Sequence, residues 1–229
     1  MTKAAMTPLR RHVGVLVPWA NLAMEAELPH LIPSDISWHF SRLVPRSRAT
    51  AINDTFLQDM IDAVPDALLQ FDPINLDLVA FGCTSACFSF PKRLTGSLHF
   101  INSQTPCITA FTAIQSTLAH HKAQRILLLA PYEDHVTQKE VSALEESGVF
   151  VIESVSMGHA DGIGEIGIEE VMDHFARFST CDADAIVISC TALHTREVID
   201  ILKEGNKIPI ISSNSAIAAT AERILTSFD

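Results

Sequence analysis

Three short motifs occur twice in this chain, in the same order and at nearly constant separation. His12-Val-Gly-Val-Leu-Val-Pro18 is matched by Arg125-Ile-Leu-Leu-Leu-Ala-Pro131. Asp77-Leu-Val-Ala-Phe-Gly-Cys83-Thr84 is matched by Asp184-Ala-Ile-Val-Ile-Ser-Cys190-Thr191, and Pro106-Cys-Ile-Thr109 by Pro209-Ile-Ile-Ser212. The paired positions (18 and 131, 83 and 190, 106 and 209) lie 113, 107 and 103 residues apart. The general likeness of buried strands explains the aliphatic letters. It does not explain a proline closing one run and a Cys-Thr pair closing another, so the chain is read as two similar halves.

The runs that carry these motifs are apolar throughout, not alternating, as in strands of a parallel sheet covered on both faces. Strand-like runs fall at 13–17, 36–44, 76–81, 125–130, 149–155, 185–189 and 208–212. Helical patterns lie between them at 53–71, 109–121, 137–147, 167–178, 195–205 and 214–228. Strand-helix alternation predicts an α/β fold. It is expected to form two similar lobes, each a short parallel sheet flanked by helices, related by a pseudo-twofold axis with the active site between them. Lobe one is assigned to residues 1–113, completed by a C-terminal helix at 214–229, and lobe two to 114–213. Ligands of open parallel sheets bind beyond the carboxyl ends of the strands. Cys83 and Cys190 sit at such ends and are predicted to face each other across one cleft.

Composition narrows the function. With 229 residues, 48% of them hydrophobic, the chain can bury a substantial core. Sixteen basic against 27 acidic side chains give a net charge of −11, and no Lys/Arg run exceeds two residues. Such a surface repels a polyphosphate backbone, so nucleic acid is not an expected partner. No apolar run approaches the roughly 18 residues of a membrane span, and the basic stretch 1–12 lacks the pattern of a secretory leader. No membrane partner and a cytoplasmic location are expected. Five cysteines, at 83, 87, 107, 181 and 190, are an odd number with no CxxC, which argues for reduced thiols and against a disulfide framework or a zinc site. No metal and no cofactor are expected.

A free thiol of pKa about 8.5 is only about 3% thiolate at neutral pH. Cys83 and Cys190 each leave a strand for a hydroxyl-bearing segment, Thr84-Ser85 or Thr191, that can open a helix. A helix N-terminus stabilises an anion by about 0.3–2 kcal/mol, enough to move a thiolate from rare to common. Its N–H groups, with the hydroxyls, also suit a carboxylate or an enolate oxygen. Cys87, Cys107 and Cys181 lack a matching partner and are read as small buried apolar side chains.

The segments VGVLVPWANLAMEAELPHL (13–31), SRL (41–43), CTSACF (83–88), APY (130–132), SCTAL (189–193) and SSNSA (212–216) resemble the aspartate/glutamate racemase superfamily. The likeness is to its branch of maleate cis-trans isomerases and arylmalonate decarboxylases. The resemblance spans nearly the whole chain, and the stretch at 18–25 together with both cysteines is its most specific part. It implies an isomerase that needs no cofactor, acts on a small carboxylate and forms a homodimer. By position it makes Cys83 the nucleophile or base and Cys190 the partner acid. Asn21, Thr84, Ser85, Tyr132, Thr191 and Ala192 would bind substrate, in part through backbone N–H groups. The chain departs from the branch at Asp161-Gly162, where an Asp-Asn pair is usual, which removes one amide contact to a carboxylate. The decarboxylases use a single cysteine, matching Cys190, so Cys83 argues against decarboxylation. Two other readings stand beside it: a two-cysteine amino-acid or hydantoin racemase, and a carboxylate-binding protein without activity.

Other signals are set aside. Gly162-Ile-Gly164-Glu-Ile-Gly167 spells GxGxxG, but it does not directly follow a first strand, so it is read as a loop over the cleft and not a dinucleotide site. Arg42, Arg46 and Arg48 are read as solvated, with Arg42 the best placed to meet a carboxylate. His194 is read as a helix-cap residue and Trp19 as a wall of the site.

Overall fold

The computed structural model describes residues 11–32, 35–48, 50–99, 101, 104–179 and 182–227. Cys181 lies outside them. Two four-stranded parallel sheets form the frame. In the first, β1 (Arg11–Pro18) is central, pairing with β2 (Ile36–Leu43) on one side and β3 (Leu78–Phe81) on the other, and β3 pairs with β4 (Cys107–Thr109). The second has the same pattern: β5 (Arg125–Tyr132) between β6 (Phe150–His159) and β7 (Ala185–Ile188), with β8 (Ile210–Ser212) beyond β7. The strand orders 2-1-3-4 and 6-5-7-8 are the structural form of the repeated motifs. Valine, isoleucine and leucine fill the central strands because both faces are covered, and β3 and β7 are buried at every residue.

Helices cover the sheets: α1 (Ala23–Leu31), α2 (Asp54–Asp62), α3 (Val64–Leu69), α4 (Thr84–Ser89), α5 (Pro91–Leu98), α6 (Ala110–His120), α7 (Asp134–Glu146), α8 (Ile168–Phe175), α9 (Arg196–Gly205) and α10 (Ser213–Thr226). The helix expected at 53–71 is broken in two. Asn53 caps its start by accepting from the Phe56 N–H, and Pro65, which cannot donate an N–H, falls in the first turn of α3. α6 and α10 both open on a capping box, Thr109 with Thr112 and Ser212 with Ser215, at the matched ends of β4 and β8. α10 packs along α6 and also touches α1, β3 and β4, so the end of the chain returns to the first sheet. Among the described residues, no helix is long and apolar enough to cross a membrane.

Candidate active site

The carboxyl ends of β1, β3 and β7 converge on one cavity of about 420 Å³. Its floor is formed by Asn21 after β1, by Cys83, Thr84 and Ser85 after β3, and by Cys190, Thr191 and Ala192 after β7. Leu22, Ile52 and Phe56 make an apolar wall. The roof is the segment Asp161–Glu165, most of it the glycine-rich stretch read as a loop, which turns through the left-handed conformation of Gly162 (φ 65°) into a 3-10 turn at Ile163–Glu165. The Ile52 N–H donates to the Ala160 carbonyl at 2.6 Å, pinning wall to roof.

The two cysteines are presented differently. Cys83 has extended backbone and caps α4, and its Sγ lies 3.7 Å from the Ser85 Oγ. Cys190 opens no helix. Its φ of 81° puts a non-glycine residue in the left-handed region, and the chain turns through Thr191–Thr195 before α9 begins. This corrects the expectation of a helix at Thr191. The Cys190 Sγ accepts instead from the Ala192 N–H at 3.4 Å and lies against the Tyr132 hydroxyl.

Neither thiol is activated by the protein groups around it. Burial raises Cys83, with contacts to the Ala86 N–H and Ser85 opposing it less strongly, and burial pushes Cys190 up to about 12. The expected gain in thiolate from a helix N-terminus is therefore overturned: desolvation outweighs the few favourable dipoles. Both sulfurs rest as thiols, and ionising Cys83 would oppose ionisation of Cys190 and of Tyr132.

The hydroxyl and amide groups mostly build the site. The Asn21 side chain donates to the Thr191 Oγ1 at 3.3 Å, and that hydroxyl donates to the Gly82 carbonyl at 2.8 Å. Asn21 also accepts from the Met24 N–H, closing the first turn of α1. The Thr84 Oγ1 donates to Ser213 at 3.1 Å. Tyr132 is fully buried behind Cys190 and does not line the cavity; among the described residues its hydroxyl has no hydrogen-bond partner. Arg42 is neither in a solvated loop nor in the cavity. It projects from β2 to donate to the carbonyls of Trp19 and Asn21, both at 2.9 Å, and to Glu25, fixing the turn that carries Asn21. Arg46 and Arg48 are exposed, and Trp19 and His194 do not line the cavity. Among the described residues, no His/Cys/Asp/Glu group is arranged to hold a metal ion.

Two buried glutamates had no motif to announce them. Glu27 of α1 accepts from the Thr195 N–H (2.5 Å) and Oγ1 (3.1 Å), the Arg196 N–H (2.9 Å) and the Asn214 amide (2.8 Å). Asn214 also donates to the Thr191 carbonyl at 3.2 Å, so this carboxylate anchors the segment that bears Cys190. Glu140 of α7 is fully buried and accepts from the Ser189 hydroxyl at 2.6 Å. An acidic residue on the buried stripe of a helix, as in Val136, Thr137, Glu140 and Leu144, is the signal that would have found them.

Paired strand-end cysteines opening on one cavity between two like sheets define an α/β protein whose site is assembled from repeated halves. Within that class the chain belongs to the arylmalonate decarboxylase (Amdase) family, whose model matches residues 13–227. It is similar to the maleate isomerase of Geobacillus stearothermophilus, at 23% identity over 95% of this chain and 91% of that protein. It is also similar to that of Nocardia farcinica, at 26% over 96% and 90%. Solved structures share the fold. One is a cysteine-to-serine mutant of the Nocardia farcinica maleate cis-trans isomerase with a covalently bound succinylcysteine intermediate (TM-score 0.85, 22% identity, 94% of this chain and 93% of that one). Another is arylmalonate decarboxylase (TM-score 0.71, 20% identity, 93% and 91%).

Proposed function

We propose that this protein is a cis-trans isomerase of a small cis-enedioate, with maleate as the lead substrate, acting through a covalent adduct on Cys83 and needing no cofactor. The observation that carries the reading is the opening of Cys83 and Cys190, one from each half, onto a single cavity. The curated relatives named maleate isomerase support it.

Sulfur of Cys83 bonds to one alkene carbon, and the π pair passes into the carboxylate on the other carbon as an enediolate. Cys190 passes a proton to that carbon and receives the proton Cys83 gives up, so a thiol has added across the double bond and Cys190 ends the step protonated. The bond between the two carbons is now single and rotates. Reversal of the same transfers expels the Cys83 sulfur and leaves the trans isomer. The amides after each cysteine, those of Thr84 and Ser85 and of Thr191 and Ala192, with the Ser85 hydroxyl, are assigned to the substrate carboxylates and the enediolate. Asn21, Thr84 and Thr191 hold that frame, and Tyr132 supports Cys190 from behind. The division into lobes at 113/114, with 214–229 returning to lobe one, belongs to the same proposal, as do a cytoplasmic setting and a homodimer.

Proton NMR in heavy water tests the reading. Conversion of the maleate vinyl signal to that of fumarate is expected. Deuterium exchange at the α-carbon of aspartate, glutamate or a hydantoin, with maleate untouched, would replace it with the racemase.

A further inference from the structure

The two halves are alike, yet the chemistry requires their cysteines to differ: one must give up its proton to become a nucleophile while the other holds one to deliver. The matched prolines place residue 140 in the second half opposite residue 27 in the first, since both pairs are 113 apart. Both are glutamates, both are buried on the first helix of their half, and their surroundings diverge. Glu27 receives four hydrogen bonds, from two backbone N–H groups, a hydroxyl and an amide, and is satisfied as an anchor. Glu140 receives one, from Ser189, and among the described residues its second oxygen has no partner. The counterpart of Ser189 is Gly82, where a Cβ would lie 2.5 Å from the Met24 sulfur, so a side chain there would require Met24 to move aside. The asymmetry is built into the packing.

We propose that Glu140 is a positioning residue that acts through Ser189 and Tyr132 to keep Cys190 as the proton-holding thiol of the pair. This rests on the reading of Cys190 as the acid. Burial is the largest obstacle to removing the Cys190 proton, and a carboxylate behind Ser189 adds to it, because a second negative charge in a water-poor region is opposed. Tyr132 is kept in its protonated form first by burial, with the charges of Cys190 and then Glu140 adding to it. Cys83 is not acted on directly. Of the elements packed against α7, β5 brings Tyr132. The end of β7 brings Ser189 and Cys190. α4 and its cap bring Cys87 and Cys83. β6 brings Glu153 and His159, which are bonded instead to Ser179 and Glu170. Among the described residues Glu140 has no ion-pair partner, and burial pushes it up to about 7, with Ser189 pulling it down. Its charge therefore changes near neutral pH.

The test is the pH profile of iodoacetamide alkylation at each cysteine of the full chain, resolved by peptide mass spectrometry. No substrate is present, so the outcome is independent of whether maleate is turned over. Glu140→Gln removes the charge and keeps the shape. Alkylation of Cys190 at pH 8 is expected to rise at least about threefold, with Cys83 changing less than about twofold. Glu140→Asp, which restores the charge, should bring the Cys190 profile back toward that of the parent. If Glu140→Gln does not fold, Ser189→Ala serves: it removes the hydroxyl that favours the ionised carboxyl and should raise Cys190 alkylation near pH 7 about threefold. An unmoved Cys190 profile, an equal rise at both cysteines, or failure of Asp to reverse the Gln effect would overturn the inference.

Discussion

Replacing Glu27 by glutamine tests whether this buried carboxylate is the anchor of the Cys190 segment. The side chain keeps its length. The remaining oxygen can still accept the Thr195 and Arg196 N–H groups, now without charge assistance. The new NH2 group then faces the Asn214 amide, which donates to the lost oxygen at 2.8 Å, and two donors confront each other in a buried place. The Thr195 hydroxyl can rotate to accept, so one of the four bonds is recovered. Bonds to a charged group contribute about 1.5–3 kcal/mol, and an unsatisfied buried donor costs about 1–3 kcal/mol. Weakening of two N–H bonds plus one orphaned amide gives a loss of about 3 kcal/mol. Urea unfolding, followed by circular dichroism, should show a lower midpoint with an unchanged slope, since the surface exposed on unfolding stays the same. Asn214 also holds the Thr191 carbonyl, so kcat should fall with stability. A loss below about 0.5 kcal/mol would refute the assignment of Glu27 as an anchor.

Three further outcomes follow from the same geometry. Glu140 holds its proton to about pH 7 in the folded chain but releases it near 4.5 when unfolded, so the native state binds more protons in between. Stability should fall by about 3 kcal/mol from this group as pH rises through that window, and urea unfolding of Glu140→Gln should lack that fall. Cys83→Ser should abolish maleate turnover, whereas Cys190→Ser should lower kcat by at least about a hundredfold and let an adduct accumulate on Cys83, visible as added mass in intact-protein spectra. Thr191→Val removes the bonds to Asn21 and Gly82 while keeping volume. It should cost about 1–3 kcal/mol in unfolding experiments and raise KM through the loosened floor.

The sequence makes the sheets legible because a strand covered on both faces must be apolar at every position, and the paired cysteines legible because a repeat singles out letters that a strand does not require. Other elements left weaker traces. β4 has three residues and showed only as the end motif at 106–109. α1 was not legible because Glu27 sits on its buried face and Pro29 lies inside it, breaking the apolar stripe that marks a helix. α4 spans six residues, all but the last buried, and α5 opens on Pro91 with only Leu94 buried, so neither shows an apolar stripe against a polar face. Arg42 and Tyr132 illustrate a different limit. Their motifs were visible, but whether such a side chain faces the cavity or braces it from behind depends on contacts between distant segments, such as Arg42 with the carbonyls of Trp19 and Asn21. The thiol protonation states were unreadable for the same reason: a strand-end motif does not state how deeply its sulfur is desolvated.

Duplication alone would yield two equivalent thiols, both buried and both neutral, which is a poor arrangement for a reaction that needs one sulfur to attack. The structure breaks the equivalence at three linked places. Cys83 leads into α4, whose first amides have no partner within the helix, whereas Cys190 is forced to a φ of 81° and leads into a turn. That left-handed backbone costs of order 1–3 kcal/mol in a non-glycine residue, and it persists because Glu27, Asn21 and Asn214 hold the following turn from outside. Behind the strained cysteine lies a carboxyl with an unused oxygen; at the equivalent place in the first half lies a carboxyl with none to spare. Anchoring energy from one glutamate therefore sustains the geometry in which the other can act on Cys190. The repeat supplies convergence, and the departures from it set the two cysteines apart, as the proposed roles of nucleophile and acid require.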